Sequence, residues 1–193
     1  MINIAIFASG EGTNARQITA YFKHSPKKLG TITLIVCSSM KAGVVNVGRE
    51  LGVKVVIPDG KTLLNGEKLL RMLKAEHIDF VVLAGYLKLM PKEVVDAYEG
   101  RMVNLHPSLL PRHGGKGMYG MKVHQQVMED GDRESGITIH YVSSQYDSGR
   151  MIAQYRCPVL KHDTLETLTA KVHALEYLYY PPTIEKLIAT LES

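Results

Sequence analysis

The stretch Met102–Arg112, MVNLHPSLLPR, decides how the rest of this chain is read. Met102, Val103 and Leu105 read as the end of a buried strand, and Pro107 and Pro111 stop regular structure beyond it. Asn104 and His106 therefore fall at the carboxyl edge of a strand, which is where open α/β sheets put their chemistry. The two residues are two apart, so their side chains leave an extended backbone on the same face and can converge on one ligand atom. An amide donor beside an imidazole suits an oxyanion. The plainer alternative is a strand-to-loop junction in which Asn104 caps a turn and His106 is a satisfied surface histidine.

Working outward, the chain alternates apolar strands with helical patterns. Ile2, Ile4, Ile6 and Phe7 form a short apolar run that ends at Ala8-Ser9-Gly10, and Glu11-Gly12-Thr13-Asn14 leads into a helix start at Ala15-Arg16-Gln17-Ile18. Such a turn lets backbone N–H groups and the positive end of a helix face an anion, with Thr13 and Asn14 as further donors. A tight turn whose glycines only relieve backbone strain is the plainer reading. Thr31–Cys37 is a second strand, Ala42–Leu51 a helix, Val53–Ile57 a third strand, Thr62–Glu76 a helix with Gly66 in its first turn, and Phe80–Ala84 a fourth, fully buried strand. Pro91 opens a helix that runs to Tyr98. Helices separating continuous apolar strands imply a parallel sheet.

After the HPSLLP segment comes a loop rich in glycine (Gly114, Gly115, Gly117, Gly120), then a helix over Met121–Glu129. Ile137–Val142 alternates, which fits an antiparallel strand nearer the sheet edge. Tyr146-Asp147-Ser148-Gly149 is a turn and Met151–Val159 another strand. Asp163 and Glu166 have capping-box spacing, and Leu165, Leu168, Val172, Leu175 and Tyr179 mark one face of a helix that Pro181 and Pro182 interrupt, with a short helix from Thr183. No repeat, linker or low-complexity tract divides the chain, so we expect one domain over residues 1–193.

Size and composition fit that expectation: 193 residues, 45% hydrophobic and 22% charged, are average for a globular domain. No apolar run reaches the roughly 18 residues that span a bilayer, and the start lacks a basic segment ahead of its apolar one, so a cytoplasmic protein with no membrane partner is expected. Cys37 and Cys157 sit in apolar runs without CxxC spacing and read as buried free thiols. The formal charge of +4 favours anionic partners without choosing among them. Its densest cluster, Lys23, His24, Lys27 and Lys28, has no interleaved aromatics and reads as a solvated helix end, so no nucleic-acid partner is expected. His106, His113, His124 and His140 lack a compact ligand spacing, so no metal is expected either.

Two other chemistries compete. Gly10-x-Gly12-x-x-Ala15 after a first strand matches the dinucleotide fingerprint and makes an NADP-dependent oxidoreductase the alternative. An acidic residue to hold an adenosine ribose is missing after the second strand, where Cys37-Ser38-Ser39-Met40-Lys41 stands instead, and Ser39 and Lys41 could take a 2′-phosphate. A serine hydrolase using Ser108, His106 and Asp147 is weaker, because no G-x-S-x-G elbow surrounds any serine.

Taken together, Gly10-Glu11-Gly12-Thr13-Asn14, Leu83-Ala84-Gly85-Tyr86, Asn104-Leu105-His106-Pro107-Ser108-Leu109-Leu110-Pro111 and Tyr146-Asp147-Ser148-Gly149 resemble the folate-dependent formyltransferases, and most nearly those of purine synthesis. The likeness runs in order from about Ile2 to Pro181. It implies a single doubly wound, mostly parallel Rossmann-like sheet with helices on both faces. It also implies transfer of a formyl group from 10-formyltetrahydrofolate to the amine of glycinamide ribonucleotide by direct attack. By position it assigns Asn104, His106 and Asp147 to catalysis, Gly12, Thr13 and Asn14 to the substrate phosphate, and Glu176 to the ribose or glycinamide end. Leu87, Lys88, Leu89 and Met90, with Asn104, Ser143 and Asp147, would bind the folate, and His140 would support the site. The implied partners are small molecules, and the resemblance leaves room for a homodimer. His113–Met121 departs from the family pattern as we know it, being longer and richer in glycine.

Overall fold

Alternate residues of the first strand, β1 (Ile2–Ala8), go to opposite faces of the sheet, and each face has its own core. Ile4, Ile6 and Ala8 join one apolar cluster, while Ala5 and Phe7 join the other. A strand buried on both faces must be apolar throughout, which is why β1 reads as a continuous run rather than an alternation. The computed structural model describes residues 1–191. The other elements are α1 (Thr13–His24), β2 (Gly30–Cys37), α2 (Val44–Leu51), β3 (Lys54–Val56), α3 (Gly60–Leu64), α4 (Gly66–Ala75) and β4 (Phe80–Leu83). They are followed by α5 (Lys92–Ala97), β5 (Met102–His106), α6 (Met121–Glu129), β6 (Glu134–Tyr141), β7 (Met151–Pro158) and α7 (Leu165–Ala189).

The seven strands form one sheet in the order β3-β2-β1-β4-β5-β6-β7. Pairs from β3 through β5 are parallel, and β6 and β7 run antiparallel, as the alternation in Ile137–Val142 predicts for β6. Residues of α1, α2, α6 and α7 fill one face, and residues of α4 and α5 the other. The fold is therefore the doubly wound, Rossmann-like α/β architecture expected from the sequence. No helix among the described residues is long and apolar enough to cross a membrane. Cys37 and Cys157 are free and buried.

Three local expectations are corrected. The segment predicted as one helix over Thr62–Glu76 is two, α3 and α4. Asn65 adopts an extended conformation (φ −101°, ψ 105°) and its side chain accepts from the Lys68 N–H at 2.9 Å. An asparagine cap of this kind stabilises a helix start by roughly 1 kcal/mol, enough to favour a restart over an unbroken helix.

The predicted interruption at Pro181 and Pro182 does not occur, and α7 runs through both. An interior proline costs about 3 kcal/mol. Against that cost stands a buried stripe four residues apart: Leu168, Val172, Glu176, Tyr180, Ile184 and Ile188. Each large apolar member contributes roughly 1.5–3 kcal/mol. The Tyr180 hydroxyl also donates to the carbonyls of Leu83 and Val103, at 2.9 and 3.3 Å. Packing on both sides of the prolines therefore outweighs the backbone bonds they forgo. At the start of α7 the capping box is Thr164 with Thr167, not Asp163 with Glu166. Asp163 turns aside to accept from the Leu160 N–H at 2.7 Å and from Lys171 at 2.6 Å.

Candidate active site

β1, β4 and β5 end at one edge of the sheet, and a cleft of about 490 Å³ opens there. The chain winds one way from β1 to β2 and the other way from β1 to β4, so the cleft sits at the topological switch point where α/β folds bind ligands. Every residue assigned above lines it: Gly12, Thr13, Asn14, Leu87, Lys88, Leu89, Met90, Asn104, His106, His140, Ser143, Asp147 and Glu176.

Asn104, His106, His140 and Asp147 meet at its floor. Asn104 and His106 share a face of β5, and β6 brings His140 directly opposite Asn104 in antiparallel register. His140 Nδ1 donates to the Tyr141 carbonyl at 2.8 Å, which leaves Nε2 as an acceptor for the Asn104 amide at 3.1 Å. His140 thereby fixes which way the Asn104 amide points. The other Asn104 N–H faces Asp147 Oδ1 at 3.5 Å.

Asp147 sits in the turn after β6 with a positive φ of 51°. Its Oδ2 lies 3.3 Å from His106 Nδ1 and accepts from the Gly115 N–H at 2.9 Å. Burial alone would push this carboxyl up, but the His106 ring, the His140 ring and the Gly115 N–H together outweigh burial and hold it well below the usual carboxylate range. His106 itself is 4% exposed, and its second nitrogen, Nε2, is bonded to the His113 carbonyl at 2.7 Å. Both ring nitrogens thus face acceptors, an arrangement that only the imidazolium satisfies in full.

The amino-terminal wall is built differently. Gly12 is the N-cap of α1 with φ 80°, and a Cβ there would lie 2.7 Å from the Val44 Cα. Glycine is required at this position both for the left-handed turn and for the close packing of α2. No side chain caps α1, and Gly12, Thr13 and Asn14 at its start line the cleft, so the first turn keeps N–H groups that the helix itself does not bond. Glu176 closes this side. Its position on α7 allowed a solvated face, but it is only 5% exposed and accepts from Asn14 Nδ2 at 2.8 Å. Burial pushes its carboxyl up to about 7, against the lesser downward pull of Asn14.

The third side is apolar. Leu87 and Leu89 are exposed in the cleft, as are Tyr119, Met121 and Tyr146. Tyr86 is buried under them with its ring edge to Phe7, and burial pushes its hydroxyl up to about 12. Sequence reasoning missed Tyr86, His124, His173 and the backbone of His113 and Gly115. His124 has an unpartnered buried Nδ1, and burial, then His173 and His106, lower it to about 4. A histidine on the apolar face of α6, in phase with Val123 and Val127, was the available signal for it.

The serine-hydrolase alternative finds no support here. Ser108 is fully buried and its hydroxyl donates to the Arg112 carbonyl at 2.6 Å, away from His106, so it is a structural residue of the HPSLLP turn. Among the described residues no group of three His, Cys, Asp or Glu side chains is arranged to hold a metal ion.

The formyl transferase family matches residues 2–184, and the chain belongs to that family. Within it, the relatives are more particular. The chain is 42% identical over 192 residues to the chloroplastic phosphoribosylglycinamide formyltransferase of Vigna unguiculata, covering 95% of this chain and 60% of that protein. It is 32% identical over 192 residues to the phosphoribosylglycinamide formyltransferase of Bacillus subtilis (strain 168), covering 97% and 95%. The chain thus spans about 60% of the length of the plant relatives it matches. Among solved structures it resembles the phosphoribosylglycinamide formyltransferase of Bacillus halodurans, with TM-score 0.85 and 39% identity over 96% of this chain and 95% of that one. It also resembles glycinamide ribonucleotide transformylase 1 of Geobacillus kaustophilus, with TM-score 0.87 and 34% identity over 97% and 99%. These findings favour the transferase and lend nothing to the oxidoreductase alternative.

Proposed function

We propose that this chain transfers a formyl group from 10-formyltetrahydrofolate to the amine of glycinamide ribonucleotide, as one catalytic domain, in de novo purine synthesis. The observation that carries the proposal is the meeting of Asn104, His106 and Asp147 at the floor of a single cleft whose three walls differ in chemistry. The α1 turn at Gly12, Thr13 and Asn14 takes the ribonucleotide phosphate, because open N–H groups at a helix start suit a dianion. Glu176 accepts from the ribose or glycinamide end. Leu87, Lys88, Leu89, Met90 and Ser143 line the folate side, with apolar side chains over the pterin and backbone groups along its edge.

The chemistry follows from those placements. The amine nitrogen attacks the formyl carbon, whose oxygen becomes an oxyanion, and collapse breaks the bond from that carbon to the folate nitrogen. Asn104 and His106 donate to the oxyanion, and one such donor is typically worth about 10²–10³ in rate. The 3.3 Å contact between His106 and Asp147 is loose, as catalytic hydrogen bonds often are before substrate binds, so the fixed Nδ1–H can be shared with the developing charge. Asp147 stays ionised, supports the charge on His106 and orders the water through which the amine proton passes to the departing nitrogen. His140 supports by orienting Asn104. No covalent enzyme intermediate and no metal are used, and the free thiols Cys37 and Cys157 fit a reducing, cytoplasmic setting. The reading leaves room for a second copy of the chain and does not depend on one.

Incubating the protein with 10-formyltetrahydrofolate and glycinamide ribonucleotide should release tetrahydrofolate and the formylated ribonucleotide in equal amounts. Absence of transfer with both substrates bound would defeat the proposal. A thermal-shift comparison should also give stabilisation by a folate analogue and none by NADPH.

A further inference from the structure

His113, a histidine without metal-ligand spacing at the start of the Gly-rich segment, forms the far side of the catalytic pair. Its carbonyl accepts from His106 Nε2 at 2.7 Å, and two residues later the Gly115 N–H donates to Asp147 Oδ2 at 2.9 Å. The turn 113–115 therefore brackets the His106–Asp147 pair, with an acceptor on the imidazole and a donor on the carboxylate. Such a bracket works only if the turn is held still. His113 has a φ of 53°, a left-handed conformation that costs a histidine free energy unless its surroundings enforce it.

The side chain supplies that enforcement. His113 Nε2 lies 2.7 Å from Asp132 Oδ2, and both residues are buried, their side chains 7% and 6% exposed. Asp132 is set by the turn that ends α6, where its N–H donates to the Val127 carbonyl at 3.1 Å. Arg112 binds the other oxygen of Asp132, and Asp130 lies 3.7 Å from His113 Nδ1. The end of α6 is thus tied through two buried side chains to a carbonyl that touches the catalytic imidazole.

The geometry points to Asp132 and His113 as a latch that positions His106: it holds the His113 carbonyl against Nε2 and so sets the plane of the ring and the direction of its Nδ1–H. Both are positioning residues, since neither side chain reaches the cleft chemistry except through His106. The kinetic consequence rests on the formyl-transfer reading, whereas the orientation of His106 in the unliganded protein does not.

The test uses the full chain with His113→Asn, His113→Gln and Asp132→Ala. Asparagine tolerates the left-handed backbone but is too short to reach Asp132, while glutamine can donate to it, and alanine at 132 removes the acceptor altogether. His113→Asn should lower kcat by roughly 10- to 100-fold, the scale of a misplacement of about 1 Å at a reacting group. KM for both substrates should stay within about twofold. His113→Gln should recover most of the loss. In the unliganded proteins, NMR of the His106 imidazole should find its Nε2–H bonded to a carbonyl in the parent and in His113→Gln, and released in His113→Asn and Asp132→Ala. An unchanged His106 signal in His113→Asn and Asp132→Ala overturns the latch. So does an equal kcat loss in the asparagine and glutamine variants. If His113→Asn fails to fold, the same NMR comparison between Asp132→Ala and His113→Gln decides. A parent protein that transfers no formyl group defeats the function reading and leaves the NMR result to judge the latch alone.

Discussion

Asp147 on the floor of the cleft and Glu176 on its amino-terminal side line one cavity, and their surroundings drive them in opposite directions. Asp147 is ringed by donors, namely the His106 ring, the Asn104 amide and the Gly115 N–H, and stays ionised throughout the working pH range. Glu176 is buried deeper, has a single neutral donor in Asn14, and is pushed up to about 7. Two carboxyls a cleft apart thus become a permanent anion and a titrating acid, through the number of donors rather than through residue type. The permanent anion suits a group that must keep an imidazolium charged. The titrating acid suits a group that meets a hydroxyl or an amine and exchanges a proton with it.

The sharpest way to break the comparison is to neutralise the anion. Asp147→Asn should cut kcat by roughly 10²–10⁴, the range of general acid–base catalysis, with the circular dichroism spectrum and binding of the ribonucleotide phosphate largely retained. Near-normal turnover would remove Asp147 from its role. Asn104→Ala should follow with a loss of about 10²–10³ in kcat and little change in KM, since the donor acts mainly on the developing oxyanion. A change in KM alone would make Asn104 a binding residue.

Glu176→Gln tests the other wall. A carboxyl raised from 4.5 to about 7 on folding keeps a proton in the folded chain that the unfolded chain releases between those values. Its stabilising contribution is complete below about 4.5 and is lost as pH climbs through 7. Above that, the buried carboxylate costs on the order of 3 kcal/mol. Glutamine preserves the contact to Asn14 without that cost. Urea melts of the variant should therefore match the parent near pH 4.5 and exceed it at pH 8, and KM for glycinamide ribonucleotide should rise. Equal stability at pH 8 would refute the assigned burial effect.

The two walls were also unequally legible in the sequence. Asn104 and His106 could be placed because a strand's period of two is rigid and Pro107 marks where it stops. Glu176 carried a weaker signal: it stands four residues from Val172 and from Tyr180, in phase with the buried stripe of α7, where an acid is not expected without a reason. Pro181 and Pro182 hid that phase by suggesting a break which the packing of Tyr180, Ile184 and Ile188 overrides. The Asn65 restart was written locally, in a capping residue ahead of Gly66, but a leucine pattern running across it masked the cap. The His113 carbonyl and the Gly115 N–H had no signal at all, because every residue offers those groups and only the tertiary path decides where they point. Side-chain chemistry at regular spacing can be read from a sequence, and backbone chemistry in a loop cannot.

The smallest expected effect probes what holds the Glu176 wall in place. Tyr180 lies one turn beyond Glu176, and its hydroxyl spans the carbonyls of Leu83, the last residue of β4, and Val103, the residue before Asn104 in β5. Both carbonyls lie in strands of the sheet. Tyr180→Phe should then lower stability by only about 1 kcal/mol, the usual net worth of a buried hydrogen bond. Its effect should register in KM for the ribonucleotide before it registers in kcat, because α7 carries Glu176 and not the oxyanion donors. A fall in kcat with KM unchanged would mean that α7 also sets the β5 end of the cleft, and that the two walls are not independent.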